Sequence, residues 1–237
     1  MIAVVDYGLG NLRSVSKALI VASAPEANRE DGGDNGYASG KPEPQNESSG
    51  IVSVLITSDP DQIQAAEKVV LPGVGAFAEG VAGLRSRGLI DVLRAAAAEG
   101  KPLLGICLGM QLLFDASEET DGNGAGSTDT GCGLCLLAGV VRCFPEKGLK
   151  VPQTGWNQLE LGGRSTLFRG INSGSFVYFN HGYYCDPEEK TVNTAYTEYG
   201  IHYASALQSG SLYGVQFHPE KSQSIGLKIL RNFVEAG

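Results

Sequence analysis

Apolar residues fall in short unbroken runs separated by helical stripes. Met1-Ile-Ala-Val-Val5 is such a run, and it predicts a strand buried on both faces over residues 1 to 7. Gly8-Leu-Gly-Asn11 then turns the chain into a helical pattern with Leu12, Val15, Leu19 and Ile20 on one face. The alternation repeats with a strand at 51–56 and a short helix opened by Asp59-Pro60. A strand at 68–71 follows, ending in Pro72-Gly-Val-Gly75. Residues 76–98 read as helix in two pieces broken near Gly88, with an alanine run at 95–98 and a stop at Gly100. A strand at 102–106 and a helix from about Gly109 to Glu118 complete the series. This order predicts an α/β fold in three layers, a mostly parallel central sheet with helices on both faces.

Beyond residue 118 the pattern becomes strand-rich. Strands are expected at 135–144, 156–161, 176–180, 192–197, 203–207 and 212–217, with Ser209-Gly210 as a hairpin turn and a closing helix over 223–235. Two segments break the pattern, at 28–50 and 119–133. Both are rich in Gly, Ser and acidic or amide residues and offer too little apolar surface to offset their ordering entropy, so they read as flexible insertions. There is no internal repeat.

Composition narrows the function classes. At 237 residues and 42% hydrophobic, the chain is long enough to bury a sizeable core. Its formal net charge of -8 argues against a nucleic-acid partner. No apolar run approaches the roughly 20 residues that span a bilayer. The N-terminus lacks a basic region and meets Asp6 early, so it reads as a first strand rather than an export signal, and a cytoplasmic setting is expected. Cysteines at 107, 132, 135, 143 and 185 are odd in number and form no framework, which argues for reduced thiols. Cys132-Gly-Leu-Cys135 lacks a second Cys/His pair at zinc spacing, so no metal is expected and the pair reads as structural. Gly8 and Gly10 invite a dinucleotide loop, but Arg13 stands where its third glycine belongs.

The chemistry concentrates at Gly105-Ile-Cys107-Leu-Gly109, a Gly-x-nucleophile-x-Gly pattern between a strand and a helix. Such a turn exposes the sulfur, and the N-terminus of the following helix favours negative charge there. A thiol nucleophile needs a base and a group to orient it. Of His181, His202 and His218, only His218 has a carboxylate two residues on, Glu220, which an extended backbone puts on the same side. His181 lies in an aromatic segment and reads as a packing or pocket-wall residue. Acyl transfer also needs oxyanion donors, and the N–H of Leu108 and the turn Pro72-Gly-Val-Gly75 are placed to supply them.

Together Pro-Gly-Val-Gly, Gly-Ile-Cys-Leu-Gly-Met-Gln and Gln-Phe-His-Pro-Glu-Lys-Ser resemble the triad-type, class I glutamine amidotransferases, in order over most of the chain. With Asp6-Tyr-Gly-Leu-Gly-Asn-Leu-Arg-Ser14 and Gly155-Trp156-Asn157, the chain looks like the glutaminase subunits of imidazole glycerol phosphate synthases, enzymes of histidine biosynthesis. The resemblance implies one amidotransferase domain over 1–237 in which Cys107 attacks the glutamine amide, His218 shuttles the proton and Glu220 orients His218. Gly73, Val74, Gly75 and Leu108 match the oxyanion loop and elbow amides, and Gln111 matches a substrate-holding position. By the same resemblance, ammonia passes to a separate (βα)8-barrel cyclase in a heterodimer. The cyclase uses it on a phosphoribosyl-formimino nucleotide to make imidazole glycerol phosphate and a carboxamide ribonucleotide. No cofactor is implied.

Trp156 and Lys221 would by default be core and solvated surface, whereas the resemblance places both at the partner interface. The chain departs from the family at Gln153, usually His, and at Asn180-His181-Gly182-Tyr183, usually Val-His-Ser/Thr-Tyr. Neither departure is expected to touch the triad, but both bear on substrate affinity and coupling. Two rivals stand beside this reading: a glutaminase serving another synthase, and a catalytically silent α/β regulatory module.

Overall fold

Ile2–Val5 forms β1, and its side chains alternate between two cores: Ile2 and Val4 on one face, Ala3 and Val5 on the other. The computed structural model describes residues 1–24, 52–119, 132–145 and 148–236. The expected insertion at 28–50 lies outside them, as do residues 120–131 of that at 119–133.

In α1 (Leu12–Ser23) the buried stripe is Val15, Ala18, Leu19 and Ala22, the i, i+3, i+4, i+7 pattern of one helix face. Ile20, expected on that face, is 43% exposed because it sits about 100° round the helix from Leu19. β2 (Val54–Thr57) leads to α2 (Pro60–Ala65), where the Asp59 carboxylate accepts the Asp61 N–H at 2.9 Å and Pro60 needs no partner at the first helical position. β3 (Lys68–Gly73), α3 (Phe77–Ser86), α4 (Leu89–Ala98) and β4 (Leu103–Cys107) follow. Gly88, at φ 66°, makes the left-handed break between the two helices.

Strands run in parallel order β2-β1-β3-β4, with Leu71 opposite Gly105 and Gly73 opposite Cys107. After α5 (Leu108–Gln111) the expected helix to Glu118 does not continue. The chain turns and forms β5 (Phe114–Ser117). The carbonyls of Leu112 and Leu113, which a helix would use, instead accept the N–H groups of Leu134 at 2.7 Å and Leu136 at 2.9 Å.

The second half comprises β6 (Leu137–Cys143), β7 (Gln153–Gln158), β8 (Glu160–Leu161), β9 (Phe176–His181), β10 (Tyr183–Pro187), β11 (Asn193–Glu198), β12 (His202–Ser209), β13 (Leu212–Val215) and α6 (Gln223–Glu235). The strand expected at 156–161 is divided at the buried Leu159, and β10 has no counterpart in the sequence expectation. β13 joins β4 in parallel and continues through antiparallel β12 and β10 to β6 and β5, so one eleven-stranded sheet links both halves. β7 and β9 form a separate antiparallel ribbon.

Helices α1 and α6 cover one face through Leu19, Ile229, Leu230 and Phe233. α2, α3 and α4 cover the other through Ile63, Val81, Leu84, Leu89 and Leu93. The layering is therefore that of an α/β three-layer fold with a parallel N-terminal half. Cys132 and Cys135 form a disulfide, where the pattern argued for free thiols: the turn between them, with Cys135 at φ 48°, brings the sulfurs together. No described helix is long and apolar enough to cross a membrane.

Candidate active site

Cys107 ends β4 at φ 54°, ψ −111°, a conformation a residue with a Cβ rarely adopts. Strain of this kind costs on the order of 1–3 kcal/mol and persists only where the surroundings impose it. Here the glycines at 105 and 109 let the turn close. A Cβ on Gly105 would approach the Gly109 carbonyl oxygen to 2.6 Å, and one on Gly109 would run into the Leu71 carbonyl. The turn reverses the direction in which Cys107 points relative to its strand neighbours and brings its sulfur to the C-terminal end of the sheet. Because α5 is a single turn, the dipole expected from a helix to Glu118 is much reduced.

His218 follows β13, the strand parallel to β4, and its N–H donates to the Tyr178 carbonyl at 2.8 Å. Pro219–Lys221 makes a 3-10 turn that folds Glu220 back, so that Nδ1 of His218 lies 3.0 Å from Oε1 of Glu220. Both side chains are almost wholly excluded from solvent, at 2% and 1% exposure. Burial alone would lower the imidazole pKa. Hydrogen bonding and charge from Cys107 and Glu220 outweigh it and push it up to about 9 from 6.5. Its two partners thus make this imidazole easier to protonate than a free one. Nε2 is buried beside the thiol with no hydrogen bond of standard geometry among the described residues.

Two further groups touch the sulfur. The Asn180 backbone carbonyl lies 3.9 Å from Sγ, a contact any residue at 180 would make, while the Asn180 side chain meets Thr154 and leaves the triad untouched. Gln216, fully buried, directs Nε2 at Sγ from 3.7 Å and accepts Nε2–H of Gln111 on Oε1 at 3.2 Å. Gln111 also reaches the Tyr183 carbonyl at 3.4 Å, so its amide is already engaged. Gln216 was absent from the sequence expectation; it stands two residues before His218, in the bend that follows β13.

Gly73 stands opposite Cys107 in register, Val74 is 40% exposed, and Gly75 takes φ 110°; with Leu108 at the start of α5 they frame the space in front of the sulfur. Gln153 is buried and faces His181 across the β7–β9 ribbon. The Tyr203 hydroxyl sits between them, 2.9 Å from Gln153 Oε1 and 3.2 Å from His181 Nε2. Burial pushes the His181 pKa down to about 4, against a hydrogen bond to the Tyr183 carbonyl, so this histidine is a neutral packing residue among Phe144, Phe179 and Tyr203.

Trp156 is 47% exposed rather than core and meets Tyr178 edge-on at 6.1 Å. The Lys221 ammonium lies 5.6 Å from the centre of the same Tyr178 ring. Trp156, Tyr178 and Lys221 thus form one surface cluster directly behind His218, whose N–H is tied to Tyr178.

A buried cysteine on a strained elbow, with a histidine and carboxylate just past the end of the neighbouring parallel strand, defines the class: the glutamine amidotransferase class-I family model matches residues 48–236. The fold is similar to that of a solved glutamine amidotransferase at TM-score 0.67, with 16% identity over 99% of this chain and 98% of that one. It is also similar to PurLQS from Thermotoga maritima at TM-score 0.65, with 17% identity over 98% and 96%. Much nearer in sequence are proteins named imidazole glycerol phosphate synthase subunit HisH. That of Moorella thermoacetica is 46% identical over 99% of this chain and 94% of its own length. That of Methanosarcina mazei is 43% identical over 99% and 98%. The chain belongs to this HisH family of glutamine amidotransferase subunits.

Proposed function

We propose that Cys107, His218 and Glu220 carry out the glutamine hydrolysis of this family by acyl transfer. His218 Nε2 takes the Cys107 thiol proton, the sulfur attacks the side-chain amide carbon of glutamine, and the carbonyl electron pair moves to oxygen. His218 Nε2 gives its proton to the departing nitrogen, which leaves as ammonia and closes a glutamyl thioester. His218 then takes a proton from water, the hydroxide attacks the thioester, and the thiol is released with glutamate. Glu220 keeps the imidazole oriented and balances its charge through the 3.0 Å contact. The N–H groups of Leu108 and of the Gly73-Val74-Gly75 segment receive the developing oxyanion.

The observation that carries this reading is the convergence of thiol, imidazole and carboxylate, with His218 Nδ1 3.0 Å from Glu220 Oε1 and both side chains almost wholly buried. The same convergence speaks against the silent module, and the 39–46% identity to HisH proteins speaks against a glutaminase of another synthase. Ammonia is handed to a (βα)8-barrel cyclase subunit in a heterodimer, in the cytoplasm, and the Trp156–Lys221 cluster lies on the docking face. The test is glutamate release from glutamine by the purified chain, with and without a cyclase subunit and its nucleotide. Strong stimulation that Cys107→Ser abolishes is the expected result. Cys107-independent release would overturn the triad, and unstimulated release that still depends on Cys107 would overturn the partner.

A further inference from the structure

Tyr7 follows β1 and is 1% exposed, yet its hydroxyl has no hydrogen-bond partner among the described residues. Leaving a buried hydroxyl unpaired costs roughly 1–3 kcal/mol, which phenylalanine at the same place would avoid. Burial, and the neighbouring Cys107, hold the phenol pKa far above its ordinary value, so the group remains a donor at every working pH.

The position of the oxygen is specific. A side chain on Gly73 would begin where the Tyr7 hydroxyl sits, and that same point is 3.0 Å from Leu108 Cβ. The hydroxyl is wedged between the two residues that frame the oxyanion site. Tyr7 and Leu108 belong to the core on the α2–α4 face, whereas Cys107 belongs to the opposite one. The phenol therefore reaches Gly73 from the α2–α4 side, the rear of the strand, while remaining close enough to Cys107 to feel its charge.

The N–H and C=O of a planar trans peptide point in opposite directions. A Gly73–Val74 peptide that aims the Val74 N–H at the glutamine carbonyl must send the Gly73 carbonyl to the rear, where the Tyr7 hydroxyl waits without an acceptor. We propose that Tyr7 is a positioning residue for the oxyanion strand: its hydroxyl donates to the Gly73 carbonyl when that peptide presents its N–H to substrate, and is unpartnered when it does not. The inference rests on the oxyanion assignment made above and adds to it the residue that holds the strand in its working orientation. It also accounts for glycine at 73, since any side chain there would displace the latch.

The test is Tyr7→Phe in the full chain, assembled with a cyclase subunit and its nucleotide and compared with wild type in the same assembly. Three quantities are read: kcat and KM for glutamate release, the pH profile of kcat, and the rate at which iodoacetamide alkylates Cys107 without glutamine. Loss of the donor should lower kcat roughly tenfold, equivalent to about 1.4 kcal/mol. KM, the pH profile and the alkylation rate should match wild type, because substrate contacts and triad are untouched. A kcat within twofold of wild type would overturn the proposal. So would a matching fall in alkylation or a shifted pH profile, which would make the hydroxyl a support of the thiol. Were wild type itself to release no glutamate, the oxyanion assignment would fall first and Tyr7 with it.

Discussion

The amide nitrogen of Gln216 lies 3.7 Å from the Cys107 sulfur, on a side chain that water does not reach. This donor holds the sulfur from the side opposite the solvent and strengthens as negative charge collects there. Hydrogen bonds to charged groups are worth about 1.5–3 kcal/mol, so Gln216→Leu should lower kcat for glutamine hydrolysis roughly ten- to hundredfold. KM should change less, because Gln216 meets the nucleophile rather than the substrate. Steady-state kinetics with the partner present decides the matter, and an unchanged kcat would show that the amide pair of Gln111 and Gln216 serves packing alone.

Cys107 combines reactivity with backbone strain, and substitution separates the two. Cys107→Ala and Cys107→Gly should both abolish glutamate release. Alanine keeps a Cβ at φ 54°, whereas glycine adopts that conformation freely. Gly should therefore be the more stable variant by about 1 kcal/mol, reading through urea midpoints at constant m-value, even though glycine ordinarily destabilises an element interior. The reverse order would mean that the elbow is not strained.

The path from sequence to structure was open where one physical constraint ruled and closed where two competed. β1, the two-piece helix at 76–98 and the elbow follow from periodicity, from Gly88 and from the close approaches at Gly105 and Gly109, all local. His218 and Glu220 were legible as a histidine with a carboxylate two residues on, although a 3-10 turn at Pro219–Lys221, not the extended chain the spacing suggested, brings them together. The helix expected through Glu118 failed because residues 134–137 claim the carbonyls of Leu112 and Leu113, a long-range competition no local pattern reveals. β10 was hidden for a related reason: it is defined by pairing with distant β6 all along its length and with β12 at Cys185. Trp156 would be core by default from its apolarity, whereas the resemblance put it at an interface; the β7–β9 ribbon presents it outward, where Tyr178 and solvent share it.

That outward face yields a prediction about assembly. Trp156→Ala removes a ring nearly half exposed that touches Tyr178 only edge-on, so the thermal midpoint should move by only a few degrees. Large aromatic side chains at the centre of an interface typically contribute 2 kcal/mol or more, so affinity for the cyclase subunit should fall about thirtyfold. Titration calorimetry of the pair measures it. Unaltered affinity would move the docking face elsewhere.

The two buried histidines set the pH dependence of stability, with opposite signs. His218 is pushed up to about 9 in the folded protein from 6.5, so its contribution is fully present below pH 6.5 and drains away as pH rises through 9. His181 is pushed down to about 4: the unfolded chain binds the extra proton between these values, so stability falls as pH drops from 6.5 toward 4. Between them the folded state should be most stable near pH 6.5, with His218 contributing on the order of 3 kcal/mol there. Urea unfolding at pH 5, 6.5, 8 and 9.5 should trace a maximum. His218→Gln should flatten the alkaline limb while leaving the acid limb in place, and His181→Gln should do the reverse. An alkaline limb that survives His218→Gln would assign the loss to another group and remove the support for a raised imidazole pKa beside Cys107.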